Sequence, residues 1–284
     1  MSEIQNKEIF GKEFKCLDKG FIRLVDVMGD DSAIVQAARV SYGKGTKSVR
    51  QDRELIRYLL RHRHTSPFEM VEFKFHVKLP IFVARQWIRH RTANVNEYSG
   101  RYSQMKDEFY IPDKEQIRLQ NQFNRQGRSE DMLEDTDTNQ IISKLSDIQS
   151  MLFAEYNSLL EKDIARELAR INLPLSTYTE WYWKIDLHNL LHFLKLRMDG
   201  HAQYEIRVFA DVIKEIIDNF VPITVEAFED YILNAKTFSK QELLVLNELM
   251  VNNPPDDELL KKHDLAGLEA REFKGKLKVF FDNI

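Results

Sequence analysis

The chain has 284 residues, of which 43% are apolar and 11% aromatic. This length and composition can build one large hydrophobic core or two small ones, so we expect a folded globular protein. The 41 Lys and Arg residues against 45 Asp and Glu give a net charge of -4, which excludes a broad attraction to nucleic acid or to an anionic membrane. Any phosphate binding is therefore expected to be local.

The N-terminus does not have the pattern of an export signal. Residues 1–14 are polar and charged, whereas a signal peptide has a basic start followed by an apolar run. We therefore expect a cytoplasmic location. The one cysteine, Cys16, has no second thiol for an intrachain disulfide or a metal site, which leaves it only as a remote candidate for a nucleophile.

Hydrophobic periodicity predicts strands and helices along the first hundred residues. Residues 21–28 are predicted to form a strand, and residues 32–40 and 50–62 to form helices. Residues 71–79 alternate apolar and charged side chains, which predicts a strand with one buried face. Pro80 is expected at the first position of a helix that places Arg89-His90-Arg91 at its C-terminal end.

The second half of the chain is predicted to be richer in helix. Residues 112–140 are polar and have no apolar period, so we expect a mobile insertion there. Helical spacing covers residues 141–168, 187–197 and 206–220, an aromatic strand is expected over 177–183, and a helical tail with a turn at 253–256 follows residue 237. These elements predict an α+β fold with a mixed, largely antiparallel sheet, formed by one catalytic domain over residues 1–237 and an extension over 238–284.

Residues 89–102 contain the densest group of polar side chains, with three arginines, a histidine and a glutamate. Arginine forks bind phosphate oxygens in pairs, and the backbone at Ser99-Gly100-Arg101 can add N–H donors because glycine allows close approach. Glu97 can orient the arginines or accept a hydrogen bond from a sugar or a base. The alternative is a solvated basic loop at a helix end, with Glu97 in a structural ion pair.

These residues resemble the signature of flavin-dependent thymidylate synthases, in which Arg-His-Arg is followed after seven residues by Ser. Arg89-His90-Arg91 and Ser99 have this spacing, and Asn96-Glu97 and Arg101 fit the longer motif, while Asn94 stands where a serine is common. Further segments resemble the family in the same order over roughly residues 18–230, including HTSPFEMVEFKFHVKLPIFVARQWIRHR, ARINLPLSTYTEWYW and LRMDGHAQYEI. The insertion and the tail fall outside the resemblance.

The resemblance implies a dUMP site. Its residues in this chain would be Gln86, Arg89, Glu97, Ser99, Gly100, Arg101, Arg170 and Arg197. Arg197 is the candidate catalytic residue, because a fixed cation near the uracil ring favours the form deprotonated at N3. The alternatives are a surface role for Arg170 and a helix-capping role for Arg197.

The resemblance also implies an FAD site that is shared between subunits. Its residues would be Ser66, Arg89, His90, Arg91, Glu97, Asp186, His188 and His192, with His64 and Ser41 as weaker candidates for a face shared by folate and flavin. Asp186 stands where the family commonly has asparagine. An acid there serves as a helix N-cap but lacks an amide donor.

The implied reaction is the methylation of dUMP to dTMP. Methylenetetrahydrofolate would supply the carbon, NADPH would reduce FAD, and a homotetramer without nucleic acid or membrane partners would form the shared sites. A metal site on His188 and His192 or on His62 and His64 is the rival reading, but the sequence has no HExxH motif and no evident acidic ligand beside them. A nucleic-acid-binding module and an inactive relative with an interaction tail are the alternative functions.

Overall fold

The computed structural model describes residues 8–40, 49–122, 127–250 and 255–281. In chain order its elements are β1 (Glu13–Cys16), β2 (Gly20–Met28), α1 (Asp31–Arg39), α2 (Val49–Arg61), a 3-10 helix (Ser66–Met70), β3 (Glu72–Pro80), α3 (Ile81–Trp87), β4 (Asn94–Glu97), β5 (Arg118–Gln120), β6 (Arg128–Met132), α4 (Asp135–Glu161), α5 (Arg166–Ala169), β7 (Tyr178–Asp186), α6 (Leu187–Arg197), α7 (Tyr204–Asp218), α8 (Pro222–Phe228), α9 (Lys240–Met250), α10 (Asp257–Lys262) and α11 (Gly267–Phe281). No helix in this described part of the chain is long and apolar enough to cross a bilayer.

Five strands form one sheet in the order β1-β2-β3-β7-β4, and every neighbouring pair is antiparallel. Phe73, Phe75, Val77 and Leu79 of β3 are buried, as the alternation in the sequence predicts. Lys78, on the other face, is also buried, and its Nζ donates to Glu108 at 2.8 Å. The α+β class with an antiparallel sheet is therefore confirmed.

Helices α3, α6 and α7 cover the apolar face of the sheet. Trp87, at the end of α3, is fully buried, with its ring centroid 5.1 Å from that of Trp183 on β7 and 4.8 Å from that of Phe193 on α6. Phe209 of α7 completes the cluster at 5.8 Å from Trp87. Burial of so much aromatic surface fixes the end of α3, and with it the residues on either side of Trp87.

Pro80 differs from its predicted position by one residue. It pairs with Tyr178 as the last residue of β3 and precedes the first helical residue, Ile81. Its φ of -66° suits either position, so the strand passes directly into α3.

The polar segment at residues 112–140, predicted to be a mobile insertion without apolar periodicity, contains a hairpin and the start of a helix in its described part. Strands β5 and β6 pair as an antiparallel hairpin, and α4 begins at Asp135, six residues before the predicted start. The apolar period fails there because the hairpin is mostly exposed, with only Arg128 and Ser129 half-buried, so it is held by backbone pairing and by polar contacts of Arg128 rather than by an apolar face.

The chain divides into two compact units, Met1–Leu233 and Asn234–Ile284. The first contains the five-stranded sheet, the hairpin and α1–α8. In the second, α9, α10 and α11 are helical, as the periodicity beyond residue 237 predicts. Within it Asp256 caps α10 by accepting from the Leu259 N–H at 2.8 Å, while residues 253 and 254 of the expected turn lie outside the described residues.

Candidate active site

The loop that follows β4, over residues 99–103 and here named the motif loop, is a tight turn. The Ser99 carbonyl accepts from the N–H groups of Tyr102 and Ser103, and the Ser99 hydroxyl accepts from the Arg101 N–H at 3.3 Å. The turn leaves Arg101 exposed, with its Nε donating to Glu167 at 3.0 Å. Arg166 of α5 donates to the Tyr102 carbonyl at 3.0 Å, so α5 and the motif loop are held together.

Gly100 and Arg170 are in direct contact. A Cβ on Gly100 would lie 3.1 Å from Nη1 and 3.2 Å from Cδ of Arg170, and 2.8 Å from Sδ of Met105. A larger residue at position 100 would therefore have to displace these side chains, because the Arg170 side chain lies against the motif loop. The structure thus brings together Ser99, Gly100, Arg101 and Arg170, which the sequence predicts as dUMP contacts.

Gln86, His90 and Arg197 form a second group, here named the Arg197 group. Nε of Arg197, at the last residue of α6, donates to Nε2 of His90 at 2.9 Å, and Nη2 lies 3.5 Å from the Gln86 carbonyl. Gln86 and His90 lie on either side of the buried Trp87. A role in capping α6 therefore does not account fully for Arg197, because its guanidinium also contacts the segment that contains Gln86 and His90.

Burial and neighbouring groups set the protonation state of His90. Desolvation first, and then the positive charge of Arg197 and the neighbouring His192, lower the pKa of His90 from 6.5 to about 4. The imidazole is therefore neutral near pH 7, and because Nε2 accepts from Arg197, its proton is on Nδ1. Desolvation also lowers the pKa of Arg197, which nevertheless remains charged.

Glu97, at the end of β4, is oriented by the neighbouring strand. Its Oε1 accepts from the Thr179 hydroxyl of β7 at 2.8 Å. Within the described ranges it forms no ion pair, so the alternative of a structural pairing with an arginine is not what the structure has. Arg89 and Arg91 are exposed, and neither pairs with an acid among those same residues.

Ser66, Asp186 and His188 lie where the 3-10 helix, β3 and β7 meet the start of α6. The N–H of Leu187 donates to the Val71 carbonyl at 2.8 Å, which fixes this junction. Asp186 is the N-cap of α6, accepting from the Asn189 N–H at 2.9 Å and from its side-chain amide at 2.7 Å. The expected capping role is confirmed, and both carboxylate oxygens are engaged.

The remaining candidate histidines lie at the surface. His192 is exposed on α6 with its ring centroid 6.2 Å from that of His90, so it adjoins the Arg197 group. His64 is exposed, with its ring centroid 5.9 Å from that of Tyr58 on α2. Ser41 lies outside the described residues.

The described part of the chain does not support Cys16 as a nucleophile or the histidine pairs as metal sites. Cys16 is buried, and burial raises the pKa of its thiol to about 12, so it is a core residue rather than a nucleophile. No group of three or more His, Cys, Asp or Glu side chains is arranged for a metal ion in the same part of the chain. Neither histidine pair has a third His, Cys, Asp or Glu arranged beside it for a zinc ion among the described residues.

Sequence reasoning missed four polar residues beside these groups. Glu167 and Thr179 hold Arg101 and Glu97, as described above. Gln203 accepts a hydrogen bond from the side-chain amide of Gln86 and donates to Glu205 at 2.9 Å. Gln203 and Glu205 belong to LRMDGHAQYEI, a segment already similar to the family, but no residue-level pattern distinguished them from the helix start.

Comparison with known proteins decides the family. The model of the family described as thymidylate synthase complementing protein matches residues 23–223. A flavin-dependent thymidylate synthase of Treponema denticola is 57% identical over 267 residues, which cover 94% of this chain and 97% of that protein. The chain belongs to the flavin-dependent thymidylate synthase family. The resemblance of the Arg-His-Arg signature is thereby confirmed.

Other members of the flavin-dependent thymidylate synthase family are similar to this chain to a comparable degree. The protein from Wolbachia pipientis wMel is 58% identical over 242 residues, or 85% of each chain. Among solved structures, the UMP/dUMP methylase PolB of Streptomyces cacaoi, bound with 5-Br dUMP, has a TM-score of 0.69 and 35% identity over 77% of this chain and 98% of that one. The same methylase is also known bound with 5-Br UMP.

Proposed function

We propose that this flavin-dependent thymidylate synthase family member methylates dUMP to dTMP, with methylenetetrahydrofolate as carbon donor and FAD, reduced by NADPH, as redox cofactor. The observation that carries the proposal is the contact between Arg197 and His90. It provides a partly desolvated cation, fixed by a neutral acceptor, in a protein related to a methylase solved with a dUMP analogue. The catalytic role goes to Arg197.

Arg197 would act on the uracil ring. A positive charge with reduced hydration interacts strongly with a nearby anion, so it lowers the pKa of the uracil N3. It thereby stabilises the uracil anion that forms when the N3 proton is released to solvent. The N3-deprotonated ring carries more electron density, which favours attack of its C5 on the donated carbon. Gln86 would hold the same base through its side-chain amide.

The motif loop would hold the phosphate and sugar of dUMP. Arg101 and Arg170 supply guanidinium donors, while Ser99 and Gly100 supply a hydroxyl and closely approachable backbone N–H groups. Glu97, held by Thr179, would accept from a sugar hydroxyl, and Arg89 would add a further cation. Among the described residues Arg170 has no acidic partner, which supports its proposed role as a ligand of the dUMP phosphate.

The residues proposed for FAD have a donor set that fits a flavin nucleotide. Arg89 and Arg91 are exposed cations that suit a pyrophosphate, while the Nδ1–H of His90, together with Ser66, His188 and His192, offers hydrogen-bonding groups for the ring and ribose. The carboxylate of Asp186 is already bound by Asn189 and offers no donor, so only its backbone is assigned to the cofactor. His64 and Ser41 are assigned to the folate and flavin face. When bound, the reduced flavin supplies the hydride that completes the methyl group.

We further propose that the active site is completed between subunits of a homotetramer. In the described part of one chain, no hydrogen bond or ion pair joins the motif loop to the Arg197 group. Large apolar side chains of the motif loop and of the segment that follows Arg170 are also exposed, with Tyr102 at 74%, Ile171 at 71% and Leu175 at 63%. A partner subunit covering this patch would bury it and bring the two groups onto one dUMP.

Subunit mixing tests this arrangement. Arg101→Ala and Arg197→Ala are each expected to be inactive as pure tetramers. After the two are mixed, dissociated and reassembled, some sites would contain neither substitution, so thymidylate formation should reappear. Continued inactivity of a verified mixed tetramer would show that both residues act from the same chain.

Residues 1–237 are proposed as the catalytic domain and residues 238–284 as a helical extension, in a cytoplasmic enzyme without nucleic-acid or membrane partners. The activity is tested by anaerobic incubation of labelled dUMP with FAD, NADPH and methylenetetrahydrofolate. Labelled dTMP should form, and omission of either FAD or the folate should abolish it. Flavin binding without product would identify an inactive relative, and absence of both would overturn the assignment.

A further inference from the structure

A chain of side-chain hydrogen bonds connects Gln86 with the β5–β6 hairpin. The amide Nε2 of Gln86 donates to Oε1 of Gln203, and Nε2 of Gln203 donates to Oε2 of Glu205 at 2.9 Å. The other carboxylate oxygen of Glu205 accepts from Nη2 of Arg128, on β6, and from the Tyr110 hydroxyl at 3.1 Å. This relay reaches from the proposed substrate site into the polar insertion.

Glu205 is the centre of the relay and has only 1% of its surface exposed. A buried carboxylate is costly unless it is paired with a cation and its oxygens accept hydrogen bonds, and Arg128 and Tyr110 supply both. Burial and the charge of Glu205 raise the pKa of Tyr110 well above its usual range, so this phenol remains a donor. Arg128 is itself held by Gln116, whose Oε1 accepts from Nη1 at 3.0 Å.

The relay fixes the orientation of two amides. An ionised carboxylate accepts but does not donate, so Gln203 must direct its NH2 group to Glu205 and its oxygen to Gln86. Gln86 must then direct its NH2 group to Gln203. The Oε1 atom and the second N–H hydrogen of Gln86 are therefore presented in one defined orientation, whereas an isolated glutamine would populate both.

We propose that Arg128 and Glu205 are positioning residues for the uracil of dUMP, acting through Gln203 on the amide of Gln86. The inference rests on the proposed function, because it assigns Gln86 to the substrate. Through this relay the hairpin becomes part of the substrate-recognition apparatus, although neither Arg128 nor Glu205 is assigned a contact with the substrate.

The first test substitutes Glu205→Gln, which keeps the shape of the side chain but allows both amide orientations. Binding of dUMP to the flavin-loaded tetramer is measured by calorimetry. The Kd is expected to rise about tenfold, the size of one well-placed hydrogen bond, with kcat at saturating dUMP within about twofold. Arg128→Met should raise the Kd by a similar factor.

Arg118→Met is the matched control on the same hairpin and should leave the Kd for dUMP unchanged. Arg118 is exposed, and in the described structure its Nε donates only to the Glu115 carbonyl.

A double-mutant cycle separates positioning from general destabilisation. In a Gln86→Ala background, Arg128→Met should change the Kd for dUMP by less than about twofold, because the group that it orients is gone. An equal loss of affinity in both backgrounds would overturn the inference. If Arg128→Met fails to assemble, Gln203→Leu replaces it in the double-mutant cycle with Gln86→Ala. Gln203→Leu interrupts the relay but keeps the Arg128 cation.

The two proposals fail in different ways. Wild-type protein that binds dUMP, with unchanged affinity in Glu205→Gln, Arg128→Met and Gln203→Leu, would overturn the relay and leave the proposed function standing. Wild-type protein that binds no dUMP would overturn both.

Discussion

The Nε–H of Arg197 donates to Nε2 of His90 at 2.9 Å, joining the end of α6 to the segment after α3. Because arginine only donates, this bond requires a histidine whose Nε2 is unprotonated. The contact holds the guanidinium of Arg197 against the imidazole of His90. The proposed catalytic cation and the histidine of the Arg-His-Arg signature are thus one hydrogen-bonded pair.

Protonation of His90 is expected to weaken the folded state at low pH. Its folded pKa of about 4 lies below the ordinary value of 6.5, so the unfolded chain binds more protons between these values. The contribution of neutral His90 is fully present above pH 6.5 and is lost as the pH falls towards 4. Urea unfolding at pH 7 and pH 5 should therefore show a smaller loss of stability in His90→Gln than in the wild type.

Nitrogen NMR of histidine-labelled protein measures the same property directly. His90 should titrate near pH 4 and carry its proton on Nδ1, and Arg197→Gln should raise its pKa by removing a neighbouring positive charge. A His90 signal titrating near pH 6.5 in the wild type would contradict the described environment.

Gly100→Ala is expected to displace the Arg170 side chain. The new Cβ would lie 3.1 Å from Nη1 of Arg170 and 2.8 Å from Sδ of Met105, both on flexible side chains. The free energy of unfolding should fall by about 1 kcal/mol. The affinity for dUMP should fall about tenfold, because the proposed charged hydrogen bond from Arg170 to the phosphate is lost.

Gly200→Ala is the matched control for this substitution. Nothing lies within 4 Å of a Cβ at Gly200, so both stability and dUMP affinity should be close to wild type. Equal dUMP affinity of Gly100→Ala and Gly200→Ala, measured by calorimetry, would remove the motif loop from the phosphate site.

Asp186→Asn should improve flavin binding without harming the fold. Asparagine caps a helix about as well as aspartate, so the unfolding free energy should change by less than about 0.5 kcal/mol. The new amide supplies the donor that the engaged carboxylate lacks, and FAD affinity, followed by flavin fluorescence, should rise several-fold. Asp186→Ala should cost about 1 kcal/mol of stability by loss of the cap. Unchanged FAD affinity in Asp186→Asn would place the cofactor away from this side chain.

Most of the fold was predictable from local sequence patterns. The alternation over β3 and the 3.6-residue spacing over α6 and α7 identify elements that bury one face, because burial requires those periods. The hairpin at β5 and β6 escaped prediction for the same reason. Its short strands are mostly exposed, Leu119 and Met132 included, so burial imposes no period on them, and the Arg128 contact that holds the hairpin involves Glu205, 77 residues away.

The sequence proposes the candidate site as a set of residues, but it does not predict how they are arranged. The Arg-His-Arg spacing and Ser99 identify the family, and Gly100 with Arg170 follows from it. The partners of Arg197 and Gln86 did not follow, because the contacts to His90 and Gln203 join segments separated by 107 and 117 residues. Sequence periodicity carries no information about such pairs, which are set by packing around Trp87.

Methyl transfer by wild type and Arg197→Gln, compared in single turnovers with dUMP, folate and reduced flavin all prebound, tests the role of Arg197 most directly. Removal of a cation proposed to stabilise the reacting anion should slow dTMP formation by about a hundredfold or more, while the oligomeric state and FAD binding should match those of the wild type. Equal rates of dTMP formation in the two proteins would contradict the assignment of Arg197 as the catalytic residue.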